Sequence, residues 1–480
     1  MADRILLSLL CCLAIAGTLS ADVKLPSVIS DNMVLQQRAK APIWGWAEPG
    51  ERITVKPGWS KGETSAVADA TGTWMVRLNT PQAGGPYEIT IAGKNAVVLK
   101  NILIGEVWVC SGQSNMVMTV KSYYNDGVLN RDQEIAAAKY PQIRLFSVED
   151  QDTPQPAKDC RGHWLECTPE TVGGFSAAAY FFGRDIHKEL KVPVGLILAA
   201  AGSSVIETWC GRELLESDKD YLPVFTYGEG HRMNPAGLYN GMIAPLIPFG
   251  IRGVLWYQGE SNSVNACVYR KLFPAMIQSW RKAWGQGEFP FYYAQISPWN
   301  GYGDKPISAE LREAQLRTLQ TPNTGMAVTT DMGDVNEIHP LNKQLVGKRL
   351  ALWALAKTYH REGVEYSGPL YSSMKVEGDK IRLRFDHVGG GLIAKGGGAL
   401  TEFTIAGADQ RFVSAQAVID GETILVSSPR VNKPVAVRFG WSNTTEPNLY
   451  NKADLPASPF RTDDWPMITS DTHWRETLNP

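Results

Sequence analysis

Three short segments of this chain combine side chains that can break an acyl bond. The first is Cys110-Ser111-Gly112-Gln113-Ser114-Asn115-Met116, directly after the apolar run 103–110. A serine at a strand-to-helix turn presents its hydroxyl at the mouth of a sheet. Backbone N–H groups and the positive end of the helix then lie where an oxyanion would form. The same position also suits a serine that merely caps the helix. The second segment, Trp256-Tyr257-Gln258-Gly259-Glu260-Ser261-Asn262, closes the apolar run 251–258. Gln258 and Asn262 each carry an amide able to donate to an oxyanion, or the stretch is ordinary turn chemistry. The third, Asp331-Met332-Gly333-Asp334-Val335-Asn336-Glu337-Ile338-His339-Pro340, sets a histidine ahead of a helical pattern and near several carboxylates. That is the setting of a general base, although a lone histidine is usually a surface or satisfied residue. Serine first, amide donors next and Asp…His last is the order expected of a Ser/His hydrolase whose members share one sheet edge. Ser114 does not lie in the Gly-x-Ser-x-Gly elbow of the α/β-hydrolases.

Such an edge requires a parallel sheet, because ligands of open α/β sheets gather at the carboxyl ends of the strands. The pattern supplies one. Apolar runs at 103–110, 142–148, 193–200, 251–258, 289–296 and 325–331 alternate with helical patterns at 175–190, 266–284, 308–320 and 341–358. Phe175, Ala178, Phe182, Ile186 and Leu190 fall on one helical face. The alternation predicts a three-layer α/β domain over residues 101–362. Residues 22–100 and 363–480 read instead as short strands broken by turn residues, among them Ile53–Val55, Tyr87–Ile91, Ile381–Phe385 and Val435–Phe439. These two β-rich regions are expected to pack together as a sandwich-like accessory region.

The segments Gly112-Gln113-Ser114-Asn115-Met116, Trp256-Tyr257-Gln258-Gly259-Glu260-Ser261 and Ile338-His339-Pro340 resemble the sialate O-acetylesterase family of SGNH hydrolases. The likeness extends from Asp31-Asn32-Met33-Val34-Leu35-Gln36 to Leu455-Pro456-Ala457-Ser458-Pro459-Phe460-Arg461-Thr462-Asp463. It implies an SGNH, flavodoxin-like catalytic domain that needs no cofactor and no metal. It further implies that Ser114 is the nucleophile and His339 the general base. The Ser114 amide, Gly202 and an amide of the 258–262 turn would form the oxyanion hole. Two positions depart from the superfamily pattern. The asparagine expected two residues after Gly259 is Ser261, so Gln258 or Asn262 must substitute. The aspartate expected three residues before the histidine is Asn336. Asp334, nearer in the chain, is preferred over Asp331 as the supporting acid, and a dyad leaning on a backbone carbonyl is the further alternative. The implied reaction is acetyl transfer through serine, removing 9-O-acetyl groups from sialic acids. Relatives with the same motifs could act on acetylated xylan or other polysaccharides. A catalytically silent carbohydrate-binding protein is the competing class, and the intact Ser114 and His339 oppose it.

Composition narrows the partners. The 480 residues carry 47 Lys+Arg against 49 Asp+Glu, a net charge of −2. With no basic block, nothing calls for a nucleic acid or an anionic membrane. Seven Cys and seven His show no metal-ligand spacing. Residues 1–21 read as a signal peptide, with Arg4 ahead of the apolar stretch Ile5–Gly17 and small residues at Thr18, Ser20 and Ala21. An exported protein, periplasmic or secreted, is expected, without membrane insertion after cleavage. Five cysteines remain beyond the leader, of which Cys160 and Cys167 either close a short loop in an oxidising compartment or stay free. Oligomeric state is not legible.

Overall fold

The protein is described by a computed structural model over residues 22–122, 127–227 and 234–471. The expected leader, residues 1–21, lies outside the described residues. A central sheet holds β1 (Ala96–Gly112), β2 (Tyr140–Ser147), β3 (Trp164–Cys167), β4 (Val194–Ala200), β5 (Gly253–Tyr257), β6 (Phe291–Ala294) and β7 (Thr324–Ala327). Their spatial order is β7-β6-β5-β1-β4-β2-β3, parallel throughout except for the antiparallel edge pair β2/β3. The helices used below are α1 (Ser114–Val117), α2 (Ala177–Leu190), α3 (Ala266–Trp284), α4 (Ile307–Arg317) and α5 (Lys343–Trp353).

Successive residues of the strands feed two different hydrophobic clusters. Val107 and Val109 join Val254, Trp256, Phe291 and Tyr293 in one, with Phe273 and Trp280 of α3. Trp108 and Cys110 join Leu255, Tyr257 and Tyr292 in the other, with Phe182 of α2 and Leu350 of α5. A sheet covered on both faces explains why its strands are continuously apolar in sequence. The face read for the first long helix is the buried one: Phe175, Ala178, Phe182 and Ile186 are all buried, and Leu190 packs partly against them. Its first turn is capped by Ser176, whose side chain accepts from the Ala179 N–H at 3.2 Å.

Strand β1 runs through position 100, where the sequence pattern changes. Ala96–Asn101 alternate in exposure, while every residue from Ile102 to Gly112 is buried. Residues 96–104 pair antiparallel with Gly84–Ala92, and residues 103–105 pair parallel with Val34–Gln36. The inner half lies between β4 and β5. A single strand therefore carries order from the N-terminal region directly to the turn before Ser114. The junction is polar and specific: Glu106, 1% exposed, accepts hydrogen bonds from Gln37 at 2.6 Å, Arg252 at 2.6 Å and Tyr359 at 3.0 Å. Gln36 accepts from the Val107 N–H at 2.9 Å.

The expectation of one accessory sandwich is corrected. Among the described residues the N-terminal strands Val34–Gln36, Arg52–Pro57, Thr64–Val67 and Gly84–Ala92 join the central sheet, while Lys40–Trp46 and Thr73–Asn79 pair with each other. Their buried residues share the core cluster of the central sheet. The C-terminal strands form sheets of their own around Ile381, Leu383, Phe403, Ile405, Val437 and Phe439. Similar alternation in two stretches says that each has one buried face; it does not say what that face meets. Cys160 and Cys167 are buried free thiols in this structure.

Candidate active site

Gly112 ends β1 at φ +133°, and a Cβ there would stand 2.2 Å from the Tyr257 carbonyl oxygen. The missing side chain lets β1 turn sharply beside β5, and the Gln113 N–H then donates to that carbonyl at 2.9 Å. Ser114 follows as the first residue of α1, 8% exposed, so its hydroxyl lies at a helix N-terminus at the carboxyl edge of the sheet. Gly202 stands two residues past β4, where the Ala201 N–H donates to the Gly112 carbonyl at 3.1 Å. The 258–262 turn is tied to the same place. Gln113 Oε1 accepts from the N–H groups of Gly259 at 3.2 Å and Ser261 at 3.3 Å.

One buried side chain brings the serine and histidine loops together. Asn115, 0% exposed, donates from Nδ2 to the carbonyl of Ile338 at 3.0 Å and to Glu260 Oε1 at 2.6 Å. Its Oδ1 accepts from Lys343 Nζ at 2.6 Å. The residue after Ser114 is thus bonded to the residue before His339. Three of the expected site members, Ser114, Gly202 and His339, are held around the same edge.

The other expectations change place. The carboxylate beside His339 is Glu337, with Oε1 3.2 Å from Nδ1 and accepting from the His339 backbone N–H at 2.8 Å. Asp334 is corrected: its side chain accepts from the Asn336 backbone N–H at 2.8 Å and from Asn336 Nδ2 at 2.7 Å, which shapes the turn. Asp331 is corrected too. It takes the Arg349 fork at 2.6 and 2.7 Å and the Tyr450 hydroxyl at 2.9 Å. Burial pushes the Asp331 carboxyl up, but Arg349 and Tyr450 outweigh it and hold it below its usual range.

Gln258 and Asn262 are corrected as oxyanion donors. Both are 0% exposed. Gln258 Nε2 donates to Ser204 O at 3.2 Å and to Asn262 Oδ1 at 2.7 Å. Asn262 Nδ2 donates to Glu207 at 3.0 Å and to Asn265 at 3.2 Å. Their amide hydrogens brace the floor of the site around the buried Glu207 carboxylate. The turn's backbone is similarly engaged, since the Asn262 N–H donates to the Gly259 carbonyl at 2.9 Å.

Sequence reading missed Glu337, Asn115, Glu260 and Lys343, which carry the electrostatics. Burial lowers the proton affinity of His339, the Lys343 charge lowers it further, and Glu337 opposes both. Burial pulls the Lys343 ammonium down to about 7 against the pull of Glu260 and Glu337. Burial likewise raises the Glu260 carboxyl, opposed by backbone N–H groups, Asn115 and Lys343. A histidine of lowered proton affinity, on a loop bonded to the loop of a serine at the sheet edge, is a combination that nucleophilic acyl transfer can use. Among the described residues no group of three His, Cys, Asp or Glu side chains forms a metal site.

A family model described as carbohydrate esterase, sialic acid-specific acetylesterase, matches residues 104–355, the span that contains every element of this site. The chain belongs to that family. A human sialate O-acetylesterase is 32% identical over 90% of this chain and 91% of its own length. Its counterpart from Pongo abelii is 31% identical over 90% and 91%. A crystal structure of a carbohydrate acetylesterase from Xanthomonas citri superposes with a TM-score of 0.86 at 40% identity, covering 92% of this chain and 100% of that one. The protein is accordingly a carboxylic ester hydrolase, a carbohydrate O-acetylesterase. Its mixed α/β sheet with added β-sheets is the architecture of that esterase.

Proposed function

We propose that this esterase removes O-acetyl groups, the 9-O-acetyl first among them, from sialic acids through an acetyl-Ser114 intermediate. The observation that carries the reading is the Asn115 clamp, which sets the serine and histidine loops side by side. With Nδ1 held by Glu337, the other ring nitrogen takes the Ser114 proton as Oγ attacks the acetyl carbonyl carbon. The Ser114 and Gly202 N–H groups stabilise the oxyanion, the ester C–O bond breaks, and the sugar alcohol leaves with the proton from His339. Water, deprotonated by the same imidazole, then attacks the acetyl-enzyme and releases acetate. The parallel sheet and the Ser-first, His-last order support an SGNH-type, three-layer catalytic unit. The leader-like residues 1–21 support export to the periplasm or beyond. No described helix is long and apolar enough to cross a membrane.

The substrate assignment follows the sialate O-acetylesterase relatives. Its test is acetate release from O-acetylated sialoglycan and acetylated xylan side by side. Release from the sialoglycan, lost in Ser114→Ala, is expected. Release from xylan alone would keep the chemistry and overturn the sialic acid assignment.

A further inference from the structure

Lys343 occupies an expensive position. It is fully buried and is the first residue of α5, where the helix dipole already places positive charge. Taking an ammonium out of water is costly, and a methionine would fill the same space without that cost. The site nevertheless supplies it with partners: Asn115 Oδ1 at 2.6 Å, the face of Tyr257 with its centroid at 5.2 Å, and the nearby carboxylates of Glu260 and Glu337. Asn115 bridges the pair, accepting from Lys343 and donating to Glu260. The same Asn115 ties the serine loop to the Ile338 carbonyl.

We infer that Lys343 is a positioning residue that locks the Ser114 loop against the His339 loop and, through its charge, keeps the imidazole in its proton-accepting form. The inference rests on the Ser114/His339 reading above and adds a fourth group to it. Among the described residues the charges acting on the ring are Glu337 from its own loop and Lys343 from α5, while Glu260, on the turn after β5, meets Lys343 through Asn115. Asp331 and Arg349 neutralise each other nearby, and Asp334 is engaged by Asn336. Burial pulls the Lys343 ammonium down to about 7, while Glu260 and Glu337 favour its charged form, and the histidine is held below its ordinary 6.5. Repulsion from that charge favours the neutral ring, which extends activity to lower pH.

The test compares Lys343→Met with the double variant Lys343→Met/Glu260→Gln, following kcat and kcat/KM against pH alongside urea midpoints. The single variant leaves Glu260 without its counter-charge and loses stability. The double variant removes both charges, keeps an acceptor for Asn115, and recovers much of the midpoint. In both, the acid limb moves to higher pH and kcat at the optimum falls about 10- to 100-fold as the two loops loosen. An acid limb in the folded double variant that coincides with that of the unsubstituted enzyme would overturn the inference. Ser114→Ala and His339→Ala are run in parallel. If they abolish activity while the Lys343 variants match the unsubstituted enzyme, the Lys343 role alone fails. If Ser114→Ala keeps full activity, the reading beneath it fails.

Discussion

Burial, an ammonium and a carboxylate all act on His339, and its readiness to accept a proton is the balance of the three. Glu337 raises its proton affinity and holds Nδ1 at 3.2 Å; Lys343 and burial lower it. Replacing Glu337 with Gln removes a group that favours the protonated ring. The acid limb of kcat/KM should therefore move to lower pH, although kcat falls about 10- to 100-fold through lost orientation. That fall is part of the roughly 100- to 10,000-fold that a positioned base supplies. Asp334→Asn should change kcat by no more than about twofold, because the exposed turn it shapes does not bond the ring. A stopped pH series on the two variants separates them. The histidine itself was legible from its place ahead of a helix in an acidic loop. Its partner was not, because distance along the chain ranks Asp334 against Asp331 but says nothing of a Glu side chain that doubles back within its own turn.

At the scale of elements, strands and helices followed from periodicity, and the turns that join them did not. The runs 193–200 and 251–258 became Val194–Ala200 and Gly253–Tyr257, and the pattern 266–284 became α3. Burial on both faces makes such strands plain in sequence. A turn of Gln-Gly-Glu-Ser-Asn offers several amides whose directions depend on tertiary partners. Here Gln258 and Asn262 turn inward to Ser204 and Glu207. Asn262→Ala should consequently act on stability before chemistry. It strips hydrogen bonds from a carboxylate that is 0% exposed, at a cost of about 2–5 kcal/mol read from urea unfolding. A variant of unchanged stability whose kcat drops about 100-fold or more would restore Asn262 as an oxyanion donor.

At the scale of the whole molecule, the C-terminal β-rich region braces the histidine loop. Tyr450 reaches Asp331 at 2.9 Å, Arg461 pairs with Glu313 of α4 at 3.0 Å, and Ser458 accepts from Gln295 at 3.0 Å. Alternating hydrophobicity revealed the strands of this region, but long-range side-chain pairs of this kind leave no local signal. Tyr450→Phe should lower stability by about 1.5–3 kcal/mol, since the lost hydrogen bond serves a carboxylate. Asp331 is held below its usual range, so its contribution is present above about pH 4, the unfolded value, and is lost as pH falls further through the folded one. Thermal unfolding of the native and Tyr450→Phe proteins between neutral and acid pH checks both points, with the difference between them narrowing in acid. The central claim, acetyl transfer through Ser114 prepared by His339, is tested most directly by rapid quenching of an acetyl-ester turnover followed by peptide mass analysis. An acetyl group on the peptide containing Ser114, absent in Ser114→Ala and scarce in His339→Ala, is the predicted result. Turnover at full rate in Ser114→Ala, with no acetylated serine in the native enzyme, would contradict it.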